Sequence, residues 1–216
     1  NYKDCYIMEG TKYESPIYYI DNGKKIKLMI ISGIHGNEIA SINAAERIIE
    51  EKPNWADFII LPRANIEAVK LNERNPYYMS DLNRAFPGKA KGTDTELLAY
   101  EIFKLIEKEK PDIVIDLHEW ERSYDEDNRL LSNGLILSFD NPRFWETTKK
   151  VYDEWSLRDN STKIMMEASI LKGSLNKEVS DLLDIPVLTI ESNMNEKLEN
   201  RIKFHLYVIE SIIKYF

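Results

Sequence analysis

Short apolar runs alternate with longer amphipathic stretches along the chain, and that alternation predicts an α/β fold. Lys27–Ser32 (KLMIIS), Asp57–Leu61 (DFIIL), Asp112–Leu117 (DIVIDL), Leu135–Phe139 (LILSF) and Pro186–Glu191 (PVLTIE) read as strands. Their near-continuous apolar character is that of strands buried on both faces. Glu38–Lys52 carries Ile39, Ile42, Ala45, Ile48 and Ile49 at helical spacing and stops at Pro53. Thr95–Lys110 does the same with Leu97, Leu98, Ile102, Leu105 and Ile106 before Pro111. Pro142–Trp155, Asn176–Leu183 and Glu196–Tyr215 complete the predicted helices, with Pro142 in a first turn and Asn176 at a start. The alternation indicates a mostly parallel (mixed), twisted sheet with helices on both faces. With no internal repeat and no low-complexity linker, the chain reads as one domain.

Composition narrows the function classes. Hydrophobic residues at 43% and charged residues at 31% describe an ordinary globular chain and exclude a disordered tail or a fibre. A net charge of −8 without a basic stripe argues against nucleic acid and against an anionic membrane surface as partners. No apolar run approaches the roughly 18 residues of a membrane span. The single cysteine, Cys5, excludes an internal disulfide and leaves the redox compartment open. The start at Asn1 rather than Met implies a missing upstream segment, so the expectation leaves cytoplasm and secretion both open, the cytoplasm leading.

Two of the three histidines sit at strand ends. His35 follows KLMIISGI with Glu38 three residues on, and His118 closes DIVIDLH. The crevice outside the carboxyl ends of the strands is where an open α/β sheet binds ligands. Two imidazoles and one carboxylate delivered there make three protein ligands with a fourth position open, the catalytic rather than the structural pattern for zinc. The donor set suits zinc, with cobalt or nickel as substitutes. Gly33 and Gly36 are expected to let the backbone turn off the strand so that His35 and Glu38 face one point. A closed structural site would need a fourth ligand, and Cys5 lies far away in sequence. His205, inside the last helix, reads as packing or surface.

GIHGNE, LPRANIEAVKLNER, DLNRAFPG, DIVIDLH and LTIES follow one another in that order. Together, over roughly residues 26–192, they resemble the succinylglutamate desuccinylase/aspartoacylase family within the zinc carboxypeptidase superfamily. The resemblance implies a zinc-carboxypeptidase-like fold and one Zn2+ per chain. It places His35, Glu38 and His118 on the metal ligands, and Asn83 and Arg84 on the pair that holds the substrate's free carboxylate. It places Arg74 on the arginine that polarises the scissile carbonyl and Glu191 on the general base. A planar guanidinium meets a carboxylate with two parallel hydrogen bonds, and a positioned cation stabilises an oxyanion, so the residue types suit these roles. Asn75-Pro76 departs from the family spacing as a small insertion, which leaves Arg63 as the alternative to Arg74. Aspartoacylase-type members continue into a further β-rich domain where this chain ends, so a single zinc-hydrolase domain over residues 1–216 with a more open cleft is expected.

The implied substrate is a small N-acyl amino acid, or a peptide with a free carboxylate, cleaved at the adjacent amide by a zinc-dependent deacylase. A zinc carboxypeptidase acting on peptides, cell-wall peptides among them, would use the same machinery. From a different class, a non-catalytic metal module could recognise a carboxylate, though a binder has no need of Glu191. The stretch Glu119–Asp127 carries five acids and reads as a solvated loop, with a preference for basic substrates or a supporting role behind the metal as alternatives. Trp120 and Tyr124 are candidates to line the cleft, and Gly173-Ser174 belongs to a loop in reach of it.

Overall fold

A computed structural model describes residues 5–127, 130–138, 141–158 and 162–216. Among them are eight strands: β1 (Cys5–Ile7), β2 (Ser15–Ile20), β3 (Lys27–Ile31), β4 (Asp57–Leu61), β5 (Ile113–Trp120), β6 (Leu131–Leu137), β7 (Thr162–Ala168) and β8 (Val187–Asn193). They form one mixed sheet in the order β1-β2-β4-β3-β5-β8-β6-β7. The centre, β4-β3-β5-β8, is parallel, and so is the outer pair β6-β7. β2 joins β4 and β6 joins β8 in antiparallel fashion. The helices are α1 (Ile39–Glu51), α2 (Ile66–Leu71), α3 (Asp94–Glu109), α4 (Pro142–Arg158), α5 (Leu175–Leu183) and α6 (Leu198–Tyr215). The expected α/β class with a mixed, mostly parallel sheet is what the structure has.

Period-two alternation divides the central strands between two cores. Leu28, Ile30, Ile113, Ile115, Leu117, Leu188 and Ile190 pack beneath α1, α4 and α6. Met29, Ile31, Val114 and Val187 point the other way, onto α3 and α5. On this second face the apolar run gives out toward the strand ends: Val114 is followed by Asp116 and His118, and Val187 by Thr189 and Glu191. Parallel pairing sets Asp116 beside Thr189 and His118 beside Glu191. One face of two adjacent strands thereby turns from core into a polar site.

The structure departs from the sequence expectations in several places. β5 and β8 run on to Trp120 and Asn193, so His118 and Glu191 are strand residues rather than the ends of strands. β6 begins at Leu131 because the polar Ser132 and Asn133 are buried within it; Phe139 of the predicted strand lies outside the described residues. β1, β2, β7 and α2 are additional elements, too short or too irregular in polarity to carry a periodic signal. Ser174, not Asn176, caps α5, its hydroxyl accepting from the Lys177 N–H. α3 starts in a Thr93–Glu96 capping box.

Candidate metal centre

The loop after β3 is shaped by its two glycines in different ways. Gly33 has φ +68°, the left-handed turn that takes the chain off the strand. Gly36 is needed for its size, since a Cβ there would lie 2.0 Å from the backbone of Ala68 in α2. Its N–H donates to the Glu73 carbonyl at 2.9 Å, holding the loop against α2.

Glu38 emerges at the centre of the resulting cluster. His35 Nδ1 lies 2.7 Å from Glu38 Oε1, and His118 Nδ1 lies 2.9 Å from Glu38 Oε2. All three side chains are buried. One potential ligand atom from each lies within 4.8 Å of the other two, the scale of one shared divalent ion. The far ring nitrogens face carboxylates: His35 Nε2 is 3.0 Å from Asp81 Oδ1. His118 Nε2 is 3.0 Å from Asp116 Oδ1, close enough for an ion pair but outside hydrogen-bond geometry.

Each imidazole thus meets a carboxylate at both ring nitrogens, and an ionised carboxylate only accepts. Lone pairs aimed at a carboxylate require either added protons or a cation between them. Imidazole held from behind by a carboxylate is the usual support of a metal-bound histidine. The residues present therefore fit a divalent ion of the zinc type. Burial opposes the charge on Glu38, but the two histidines outweigh it and bring its pKa down to about 2. Burial also opposes protonation of His118, yet Asp116 and Glu38 hold its pKa well above the ordinary histidine value.

Glu191 sits beside His118 across the β5–β8 pair. Burial, reinforced by Glu38 and Asp116 against the pull of His118, raises its pKa to about 8. Its Oε2 is buried and makes no hydrogen bond among the described residues. A cleft of about 660 Å³, the size of a small-molecule site, runs over these groups and is lined also by Arg74, Arg84, Trp120, Ser174 and Ile170.

Arg74 stands in this cleft, with Nη2 3.0 Å from Asp81 Oδ2 and Nη1 3.7 Å from Glu38 Oε1. Arg63 does not: its Nε donates to Glu46 Oε1 at 2.8 Å, and it lines a separate groove with Tyr18 and Ile66. Of the two arginines, Arg74 is thus the one in the cleft. Arg84 is exposed at the cleft wall, its Nη1 donating to the Asn83 carbonyl. Asn83 is half occupied by structure: its Oδ1 accepts from the Leu175 N–H at 2.9 Å, while Nδ2 lies 3.5 Å from His118 Nε2. Tyr124 is exposed and outside the cleft. Arg122 and Glu167 pair at the wall at 2.8 Å.

The sequence alone gives no site role to Asp81, Asp116 or Asn176. Asp116 is fully buried, and Thr189 Oγ1 donates to its Oδ2 at 3.2 Å. Asn176 Nδ2 donates in turn to Thr189 Oγ1 at 3.0 Å. The available signal was an ionisable residue inside an apolar strand, two positions before His118 and so on the same face.

His205 proves to be packing: it is fully buried in α6 with Nε2 3.0 Å from Ser192 Oγ. Burial, helped by His118 and Arg201 against Glu38, lowers its pKa to about 3. The unfolded chain therefore binds a proton on this residue below about pH 6.5 that the folded chain refuses, and stability falls as pH drops through that value. The cost is about 2 kcal/mol at pH 5. Urea unfolding of wild type and His205→Gln between pH 7 and 5 should show a steeper decline for wild type; parallel declines would remove the assignment.

Residues 24–128 match the family described as succinylglutamate desuccinylase/aspartoacylase catalytic domain. A succinylglutamate desuccinylase of Pseudomonas aeruginosa is 37% identical over 90 residues, covering 39% of this chain and 25% of that protein. An N-alpha-acetyl-L-2,4-diaminobutyric acid deacetylase of Halomonas elongata is 29% identical over 114 residues, covering 51% of this chain and 33% of the other. The chain thus aligns with only a quarter to a third of these relatives. In three dimensions it is similar to the cell shape determinant protein Csd4 of Helicobacter pylori. The TM-score there is 0.76 at 18% identity, over 92% of this chain and 53% of that one, a likeness of fold.

Proposed function

We propose, from the premise that this chain belongs to the succinylglutamate desuccinylase/aspartoacylase family, that it is a zinc-dependent hydrolase cleaving the amide of an N-acyl amino acid next to a free carboxylate. The observation that carries the proposal is the convergence of His35, Glu38 and His118 beside Glu191, a carboxylate that a mere binder would not require. His35, Glu38 and His118 would hold a zinc ion, which would supply Lewis-acid polarisation and the activation of water near neutral pH.

The chain's own groups supply the rest. Glu191, its pKa drawn back down by the dication that the three ligands would hold beside it, accepts the proton of the attacking water and returns it to the leaving amine, the base-then-acid work of one positioned carboxylate. Arg74 faces the carbonyl oxygen as negative charge develops on it. Asp81 holds both Arg74 and His35, so cation and ligand are positioned by one carboxylate. Arg84, with Asn83 beside it, receives the substrate carboxylate and so sets which amide reaches Glu191. No covalent intermediate is needed. The cleft, large for a small acyl-amino acid, favours a second reading in which the substrate is a short peptide with a free carboxyl end.

The test is metal analysis coupled to a panel of succinyl- and acetyl-amino acids set against short peptides. Preference for the acyl-amino acids supports the deacylase, and preference for peptides supports a carboxypeptidase. Zinc without turnover on any member would leave the non-catalytic module. Within the panel, Arg84→Ala should lose on the order of 10–100-fold in kcat/KM on substrates with a free carboxylate, and little on their amidated analogues. Equal losses on both would give this arginine another role.

A further inference from the structure

α1 begins without a cap of its own. Glu38 occupies its N-cap position with its carboxylate turned away to His35 and His118, no side chain of the helix caps it, and its first turn holds no acid. A helix start leaves N–H groups without intrahelical partners and carries partial positive charge, so an uncapped start under a buried ligand is costly.

The missing acceptor comes from another strand. Glu119, whose side chain is buried, accepts the Ala40 N–H at 2.8 Å through Oε2. Its Oε1 accepts from Ser192 Oγ at 2.9 Å and from Arg201 Nη1 of α6 at 2.8 Å. Ser192 Oγ lies 3.0 Å from His205 Nε2, also in α6.

The sequence positions give this carboxylate its meaning. Glu119 follows His118, Ser192 follows Glu191, and Ala40 lies two residues after Glu38. Because side chains alternate along strands, Glu119 and Ser192 occupy the opposite face of the sheet from His118 and Glu191. One buried carboxylate on the back of the sheet thus ties the three segments that deliver Glu38, His118 and Glu191 to its front.

We infer that Glu119 is a positioning residue for the metal centre: by capping α1 from β5 it frees the Glu38 carboxylate for metal and fixes its distance from His118. The inference rests on the reading of His35, Glu38 and His118 as metal ligands. It also assigns the first acid of the stretch after His118, for which the sequence leaves open a solvated loop, a preference for basic substrates or a supporting role.

Zinc dissociation constants of wild type, Glu119→Gln and Ser192→Ala, from competition with a chromophoric chelator at a temperature where all are folded, test it. The absorption spectrum of each cobalt-loaded protein reports ligand geometry, and thermal unfolding in EDTA reports stability without metal. Glu119→Gln should bind zinc about 10–100-fold more weakly, the usual effect of losing support behind a ligand, with an altered cobalt spectrum. Ser192→Ala should shift both in the same direction by less. A purely structural role would lower the unfolding midpoint in EDTA yet leave zinc affinity and the cobalt spectrum as in wild type; that result overturns the inference. Should Glu119→Gln fail to fold, Ser192→Ala decides, a weakened affinity supporting the inference and an unchanged one overturning it. A wild-type protein that binds no divalent metal overturns the ligand assignment, and this inference with it.

Discussion

Glu191→Gln should retain zinc at the wild-type level while its turnover falls about 10²–10⁴-fold, the range that a positioned general acid–base contributes. The amide nearly matches the carboxylate in shape, so the β5–β8 pairing and the packing around position 191 survive. What the amide cannot do is take a proton. Metal retention follows because Glu191 is not among the side chains converging on Glu38. The measurement is single-turnover kinetics on a substrate identified by the panel, with metal content determined on the same preparation. Near-normal turnover would dismiss Glu191 as the base. Lost zinc would make it a ligand, contrary to the grouping of His35, Glu38 and His118 without it.

Much of this arrangement was legible because the elements that carry it have strong patterns. β3, β4 and the core of β5 are continuous apolar runs, and α1, α3 and α6 have clear helical periodicity, so the α/β class and the approximate bounds followed from hydrophobicity alone. His35, Glu38 and His118 were readable because two of three histidines directly followed apolar runs, KLMIISGI and DIVIDL. The supporting groups were not, for a physical reason. Asp116 and Glu119 look alike in sequence, acids flanking one histidine; only the alternation of β5 sends Asp116 to the front of the sheet and Glu119 to the back. Asp81 was visible in DLNRAFPG, but its role depends on reaching both His35 and Arg74, contacts across 46 and 7 residues that no local pattern encodes. Arg63 and Arg74 were likewise separable only once Glu46 was seen to engage the former.

The largest loss of metal is expected from His118→Ala. The variant removes one of three ligands, so zinc affinity should fall by more than the roughly 100-fold that bounds the loss of outer support. Activity should fall to background with it. Two buried carboxylates, Glu38 and Asp116, lose their shared partner, and a buried charge stripped of its counterpart costs about 3–5 kcal/mol, so the metal-free variant should also unfold earlier. These effects separate by method: chelator competition at low temperature reads metal affinity, and unfolding in EDTA reads stability. Asp116→Asn makes the graded comparison, keeping the ligand while removing the negative charge behind it, and belongs within the 10–100-fold range. Wild-type zinc affinity in His118→Ala would put the metal elsewhere, and Glu191 would then have no water to act upon in this cleft.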